Sequence, residues 1–358
     1  MLNYALIGCG RISPNHIAAA LSNRLNIRAL CDVLPEAASK AAQLHNLEDL
    51  HFYEDYQEML SKEKLDLVAI ATESGNHAAL VMDCLRAGVH VIVEKPIALS
   101  LADADAMAEL AKSKQLILCP CHQNRFNKSI LKIREAIDQN RFGKLLHAAA
   151  HIRWSRGKAY YEQAPWRGTW AQDGGALMNQ CIHNIDLLRW MMGDEIEEVF
   201  AYTDQLMHPY IEAEDLGLAL VKFKNGAYGL IEGTTNIFPS NLEETLYLFG
   251  SAGTVKAGGK SVNIIEEWRF EDGIDHPEDV KANSSEEPPN IYGFGHTPLY
   301  ADVIDSIINE RDPFITAEAG RRAVELVLAI YLSASLGRPV KFPLEPISTV
   351  DFAGLYTD

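Results

Sequence analysis

The chain has 358 residues, with 32 lysines and arginines against 49 aspartates and glutamates, and a formal net charge of −17. That length accommodates two domains, each large enough for its own core, and the acidic balance argues against nucleic acid or an anionic membrane as partner. The hydrophobic share of 47% and charged share of 23% are those of an ordinary globular protein; no signal sequence and no apolar run of membrane-spanning length is read, so a cytoplasmic location is expected.

The first third alternates strand and helix, the pattern of a doubly wound parallel sheet. It opens with NYALIGCGRISPNH over 3–16. A buried strand over 4–7 runs into a turn at Gly8 and Gly10, where no Cβ stands between the backbone and a pyrophosphate. Ser13 is expected to cap the next helix and Pro14 to sit in its first turn, so that free N–H groups and the positive dipole end face the anion. Serine replaces the third glycine of the dinucleotide fingerprint, but a second strand over 27–31 ends at Asp32, the acidic residue that the fingerprint places about 20 positions on. Its carboxylate suits the ribose hydroxyls of adenosine and repels a 2′-phosphate, and no Arg or Lys follows at 33–36. NAD is therefore expected over NADP.

Helices are predicted over 35–44 and 78–87 and from Ser100 in capping-box style, with strands over 65–71, 89–93 and 116–121. Ligands of such sheets lie outside the carboxyl ends of the strands. That selects Gly8, Gly10, Arg11, Ile12, Asp32, Thr72, Asn76, His77, Glu94, Lys95 and Gln123 as cofactor-binding candidates. Lys95, between an apolar strand and Pro96, is expected at the mouth of the site, and a cis bond to Pro96 would fix the turn. The six cysteines, at 9, 31, 84, 119, 121 and 181, form no Cys-x-x-Cys pair and read as reduced core thiols; no metal site is expected.

The texture changes near residue 123. An amphipathic helix over 128–140 precedes strands over 145–154, 197–203, 216–223, 227–234, 245–249 and 262–265, with Asn225 and Gly226 marking a hairpin. These runs need no long crossovers, so an open, mostly antiparallel sheet is expected. The acidic stretch 266–290 reads as solvated surface, and helices over 298–309 and 317–336 close the chain. The division is expected at residue 122, with a dinucleotide domain over 1–122 and a substrate-binding and oligomerisation domain over 123–358. Residues 141–170 carry Arg141, Lys144, Arg153, Arg156, Lys158 and Arg167 against the single acid Glu162. Such a basic island suggests an anionic ligand; the alternative is pairing with acids elsewhere in the fold.

A further helix is read from Gly174 through Met192, on which Asn179, His183 and Asp186 share a face at i, i+4 and i+7. A buried histidine satisfied by Asp186 would explain this structurally. Beside a nicotinamide site the same residues can oxidise an alcohol. His183 is then the base for the hydroxyl proton, Lys95 the positive charge beside the developing alkoxide, and Asn179 the group that orients the hydroxyl or Lys95. Asp186 is the expected partner of the second imidazole nitrogen.

The motifs GCGRI, Asp32, EKP and the Asn-x-x-x-His-x-x-Asp helix resemble the glucose-fructose oxidoreductase, inositol dehydrogenase and MocA family over nearly the whole chain. The resemblance implies Lys95 and His183 as the catalytic pair and an open-sheet domain used in oligomerisation, as a dimer or tetramer. Many members have aspartate where this chain has Asn179. A narrower resemblance runs through QNRFN at 123–127, RWSR at 153–156, YYEQAPWRGTW at 160–170, GGALMNQ at 174–180, NLEETL at 241–246 and YGFGH at 292–296. It points to the UDP-N-acetyl-2-amino-2-deoxyglucuronate 3-dehydrogenases of the WlbA type, which act in surface polysaccharide synthesis and carry asparagine at this position. It implies an anionic nucleotide-sugar substrate contacted by Gln123, Arg156, Tyr160 and Arg167 as well as Lys95, Asn179 and His183. The rival readings are another sugar or polyol dehydrogenase, an NAD-dependent glycosidase of the same fold, and a non-catalytic sensor that keeps the cofactor site.

Overall fold

Leu67–Ile70 is an unbroken apolar run with no polar alternation, and every residue in it is fully buried. A strand covered on both faces requires such a run. In the computed structural model, which describes residues 1–193, 195–287 and 293–356, it is the centre of a six-stranded parallel sheet. The strands are β1 (Asn3–Ile7), β2 (Asn26–Cys31), β3 (His51–Tyr53), β4 (Leu67–Ile70), β5 (His90–Val93) and β6 (Leu118–Pro120). Their order is β3-β2-β1-β4-β5-β6, that of a doubly wound dinucleotide fold. The chain divides into two units, the first comprising Met1–Cys121 together with His296–Arg321. The segment 296–321 therefore belongs with the first unit, whereas a division at residue 122 alone assigns it to the second. Its helix His296–Asn309 packs on the helix Ser13–Ser22.

Ser13 does not cap that helix. It is the first helical residue, and its hydroxyl donates 2.7 Å back to the Gly10 carbonyl. Ser100 does cap Leu101–Ser113, accepting from the Asp103 amide at 3.3 Å, and the Lys95–Pro96 bond is cis.

The second unit, His122–Gly295 with Arg322–Asp358, is built on an eight-stranded sheet. Its strands are β7 (Leu145–Arg153), β8 (Ile196–Asp204), β9 (Leu216–Phe223), β10 (Tyr228–Thr234), β11 (Glu243–Gly250), β12 (Gly253–Gly258), β13 (Ile264–Phe270) and β14 (Val340–Lys341). They lie in the order β13-β12-β11-β7-β10-β9-β8-β14. Pairing is antiparallel except for β7 with β10, so the sheet is mostly antiparallel, as expected. Gly226 at φ 86° makes the hairpin between β9 and β10, its neighbour Asn225 accepting from the Ala227 amide at 2.9 Å.

The stretch 266–290 is not plain solvated surface. It contains most of β13, with Trp268 only 1% exposed, and the helix Pro277–Asn283; residues 288–290 lie outside the described residues, as does Tyr292 of the YGFGH motif. Its acids have an internal use, since Asp272 and Asp275 hold the buried Arg141 at 2.9 and 2.5 Å. Among the described residues no helix is long and apolar enough to cross a membrane.

Candidate active site

In the first unit the cofactor candidates gather at the carboxyl ends of β1, β2, β4 and β5. Gly8 adopts φ 93°, and a Cβ there would stand 2.6 Å from the Ala71 carbonyl carbon and oxygen. Only glycine lets β1 leave the sheet so close to β4. At Gly10, by contrast, beyond the glycine itself and its two chain neighbours no atom of the described residues lies within 4 Å of where a Cβ would be. This is the open cradle that a pyrophosphate needs ahead of a helix N-terminus. Arg11 beside it is exposed and Ile12 half-buried. Asp32 is held at the end of β2 by two backbone amides, Cys9 N at 2.7 Å and Leu34 N at 2.9 Å, which set its carboxylate for ribose hydroxyls. These residues fit NAD.

Two candidates turn inward instead. His77 is fully buried, its ring nitrogens 2.7 Å from the Pro96 carbonyl and 3.2 Å from the Thr72 carbonyl. Its ring is held between the two turns that follow β4 and β5. The Glu94 carboxylate lies between His16 and His296 at 3.1 and 3.3 Å. Asn76, exposed, donates to Glu73, and Thr72 is half-buried. Lys95 is half-buried within the otherwise buried run 91–99.

In the second unit, Gly174 and Gly175 turn at φ 82° and 95° and deliver the chain into one wide helical turn, Leu177–Cys181, followed by the regular helix Ile182–Met192. The turn sits close on the sheet because glycines face it: a Cβ at Gly217 or Gly233 would come within 2.5 Å of the Leu177 side chain. Such i+5 turns break the α-helical register, so Asn179 and His183 are not stacked as an even i, i+4 spacing implies. Asn179 is 9% exposed, donates to Asp173 and accepts from Gln180 at 2.5 Å. His183 is half-buried, with its Nε2 3.5 Å from Gln123 Nε2 and its ring edge-on to His122.

Asp186 has another use than the one expected. Its two oxygens accept from Arg125 at 2.7 and 2.6 Å, both residues being buried. Burial alone would raise the Asp186 pKa, but Arg125 together with His122 and Arg189 outweighs it and holds the carboxyl below its ordinary value. The pair anchors the helix that carries His183 to the segment that carries Gln123.

Arg156, Tyr160, Arg167 and Asn179 are brought together through Gln180, which the sequence reading did not single out. Gln180 donates to Tyr160 Oη at 2.9 Å and accepts from Arg156 at 3.0 Å, while Arg167 donates to Tyr160 Oη at 2.6 Å. Both guanidinium groups stack on aromatic rings, Arg156 on Trp154 and Arg167 on Tyr160 and Trp166. Gln180 lies inside a recognised motif, but no periodicity distinguishes it from its neighbours.

The basic island divides. Arg141 is paired with Asp272 and Asp275, Arg153 with Glu232 and Glu243, and exposed Lys158 with Glu162, so for these the alternative of internal pairing holds. Arg156 is held by the neutral acceptors Gln180, Asn241 and the Ser155 carbonyl. Arg167 has no ion pair among the described residues. Rigid, ring-stacked guanidinium groups of this kind suit phosphate or carboxylate oxygens.

Residues 2–122 match the oxidoreductase family with the NAD-binding Rossmann fold, and residues 130–256 match the GFO/IDH/MocA C-terminal domain. The chain is similar to the WlbA dehydrogenase of Bordetella pertussis, solved in complex with NADH and UDP-GlcNAcA. The two are 36% identical with a TM-score of 0.89, over 96% of this chain and 98% of that one. It is similar as well to the WlbA dehydrogenase of Chromobacterium violaceum with the same ligands, at 35% identity and a TM-score of 0.87, over 96% of each chain. The myo-inositol 2-dehydrogenase of Thermotoga maritima is 29% identical over 261 residues, 72% of this chain and 75% of its own length. With both halves matched and the likeness running through nearly its full length, the protein belongs to the Gfo/Idh/MocA family of NAD-binding oxidoreductases.

Proposed function

We propose that the protein oxidises the C3 hydroxyl of UDP-N-acetylglucosaminuronic acid to a ketone. The observation that carries the reading is the joined set Arg156, Tyr160, Arg167, Gln180 and Asn179, in which two ring-stacked guanidinium groups are tied by hydrogen bonds to the turn that leads into His183. A substrate with a pyrophosphate and a carboxylate matches two such cations better than a neutral polyol does.

NAD, when bound, supplies the hydride acceptor. His183 takes the hydroxyl proton at its imidazole. Lys95 offers its ammonium to the alkoxide that develops, lowering the barrier as fixed positive charge does. Asn179, held by Asp173 and Gln180, has a fixed side-chain geometry with which to orient the reacting hydroxyl. Arg156 and Arg167 bind the anionic groups and so set the distance from them to the sugar ring.

The test is absorbance at 340 nm with purified protein, NAD and UDP-N-acetylglucosaminuronic acid, with and without 2-oxoglutarate, beside His183→Ala. Turnover that disappears in the variant supports the reading. Turnover on free inositols or sugars with silence on the nucleotide sugar would overturn the substrate and leave a polyol dehydrogenase. An eliminated or hydrolysed product without net NADH would indicate the glycosidase.

A further inference from the structure

Inside the first unit, four side chains of metal-ligating type converge from four separate places. His16 comes from the helix Ser13–Ser22, Glu94 from the end of β5, Cys121 from just past β6, and His296 from the start of the helix His296–Asn309. Their ligand atoms all lie within 4.8 Å of one another. Both imidazole Nε2 atoms approach the same carboxylate oxygen, Glu94 Oε1, at 3.1 and 3.3 Å. All four residues are buried: His16 and Cys121 at 0% exposure, His296 at 3% and Glu94 at 7%. The reaction proposed above uses none of these side chains.

The simple account is a hydrogen-bonded knot in which each imidazole donates to Glu94. It leaves one thing unexplained: a carboxylate, two imidazoles and a thiol, all buried, share one space in which an isolated charge is expensive. We propose that His16, Glu94, Cys121 and His296 form a structural site for one divalent cation of the zinc class. Two imidazole nitrogens, one carboxylate oxygen and one thiolate are the donor set that such an ion takes in a closed tetrahedral site. Ligand atoms there stand about 3.5 Å apart, so the cluster needs to contract only modestly. The cation binds the Nε2 lone pairs, and the protons move to Nδ1. On His16 that proton faces Tyr300 Oη at 2.7 Å, which in turn meets Tyr4 Oη at 2.9 Å; such outer partners orient ligating histidines. The Cys121 thiol loses its proton to solvent on binding, and the two positive charges of the ion are balanced by Glu94 and the thiolate. The bound ion would clamp β5, β6 and the two helices one residue from Lys95.

The experiment uses untagged full-length protein, stripped by a chelator and reloaded with Zn2+ or Co2+. About one equivalent per chain is expected, with the thiolate charge-transfer absorption and intense visible bands of tetrahedral Co2+. The melting temperature should rise on loading. Cys121→Ser and His296→Gln should abolish stoichiometric binding, and Tyr300→Phe should weaken it about 10–100-fold. Folded wild-type protein that takes up no metal, binding that persists in both ligand variants, or Co2+ bound without a thiolate band would each overturn the site. The wild-type cobalt spectrum keeps the proposal testable even if a ligand variant fails to fold. Loss of metal binding with intact turnover on the nucleotide sugar separates this proposal from the catalytic one.

Discussion

Replacing Arg167 by methionine separates a ligand-binding cation from a structural one. Arg167 holds no ion pair among the described residues; it donates to Tyr160 Oη and stacks between Tyr160 and Trp166 at 4.3 and 4.4 Å. Methionine keeps most of the stem packing, so the fold loses little beyond cation–π contacts of about 0.5–1 kcal/mol each. A charge-assisted hydrogen bond to substrate is worth about 1.5–3 kcal/mol. At about 1.36 kcal/mol per decade this becomes a rise of roughly 10–150-fold in KM for the nucleotide sugar, with kcat little changed, as loss of uniform binding predicts. Arg141→Met is the contrasting variant. It strands Asp272 and Asp275, so it should lower the melting temperature and leave KM alone. Initial rates at 340 nm and thermal melts on both proteins check this. An unchanged KM in Arg167→Met, or a raised KM in Arg141→Met, would refute the division of the basic island.

Gly8→Ala should weaken NAD binding strongly. The positive φ alone costs about 1–2 kcal/mol, and the new methyl meets the Ala71 and Thr72 backbone at 2.6–2.9 Å, which cannot yield; NAD titration by fluorescence quenching reads the effect. Glu214 is buried, and burial pushes its carboxyl up to about 8 against the bonds from the Leu177 amide and Tyr331. A folded pKa above the unfolded one gives stability that is complete below the unfolded value, near pH 4.5, and is lost as pH rises through about 8. Glu214→Gln should therefore flatten the decline of melting temperature between these limits, and an unaltered profile would count against the neutral carboxyl. On the outer face of the second sheet, Leu218, Leu220 and Leu230 are 42%, 58% and 40% exposed beside Tyr202 at 66%. Leu220 lies directly across from Leu230 and Phe200. Such a patch calls for a cover, and a second copy of this chain is the expected one. Leu220→Glu should reduce the mass measured by light scattering, and a wild-type protein that is already monomeric would rule this out.

The first sheet was readable because its signals are local. Apolar runs such as 67–70 need both faces covered, and Gly8 and Asp32 stand at fixed distances from strand ends. The second sheet was readable in its alternation and at its Asn225 and Gly226 hairpin. The parallel pairing of β7 with β10 was not, because it joins segments whose connection carries no local mark of direction. The misreading of 266–290 has a definite physical cause: Asp272 and Asp275 look like solvated charge until Arg141, more than 130 residues earlier, is placed between them.

The same reasoning applies to the site. Lys95 and His183 stand out as candidates because each is a polar residue set against an apolar element, which is a property of a few neighbouring residues. Whether Asp186 serves His183 or Arg125 depends on a partner 61 positions away, and helical spacing alone favours the nearer one. The wide turn at Leu177–Cys181 then shifts the register on which that spacing relied. The convergence of His16, Glu94, Cys121 and His296 is the extreme case. No two of these residues fall within a motif spacing, so cysteine arithmetic at Cys119 and Cys121 excludes only a local zinc motif and says nothing of a site closed by topology. In a doubly wound sheet the ends of adjacent parallel strands meet wherever they lie in sequence, and a helix returning from residue 296 adds a fourth ligand there. A metal search by spacing is blind to this geometry, and elemental analysis of the purified protein is not.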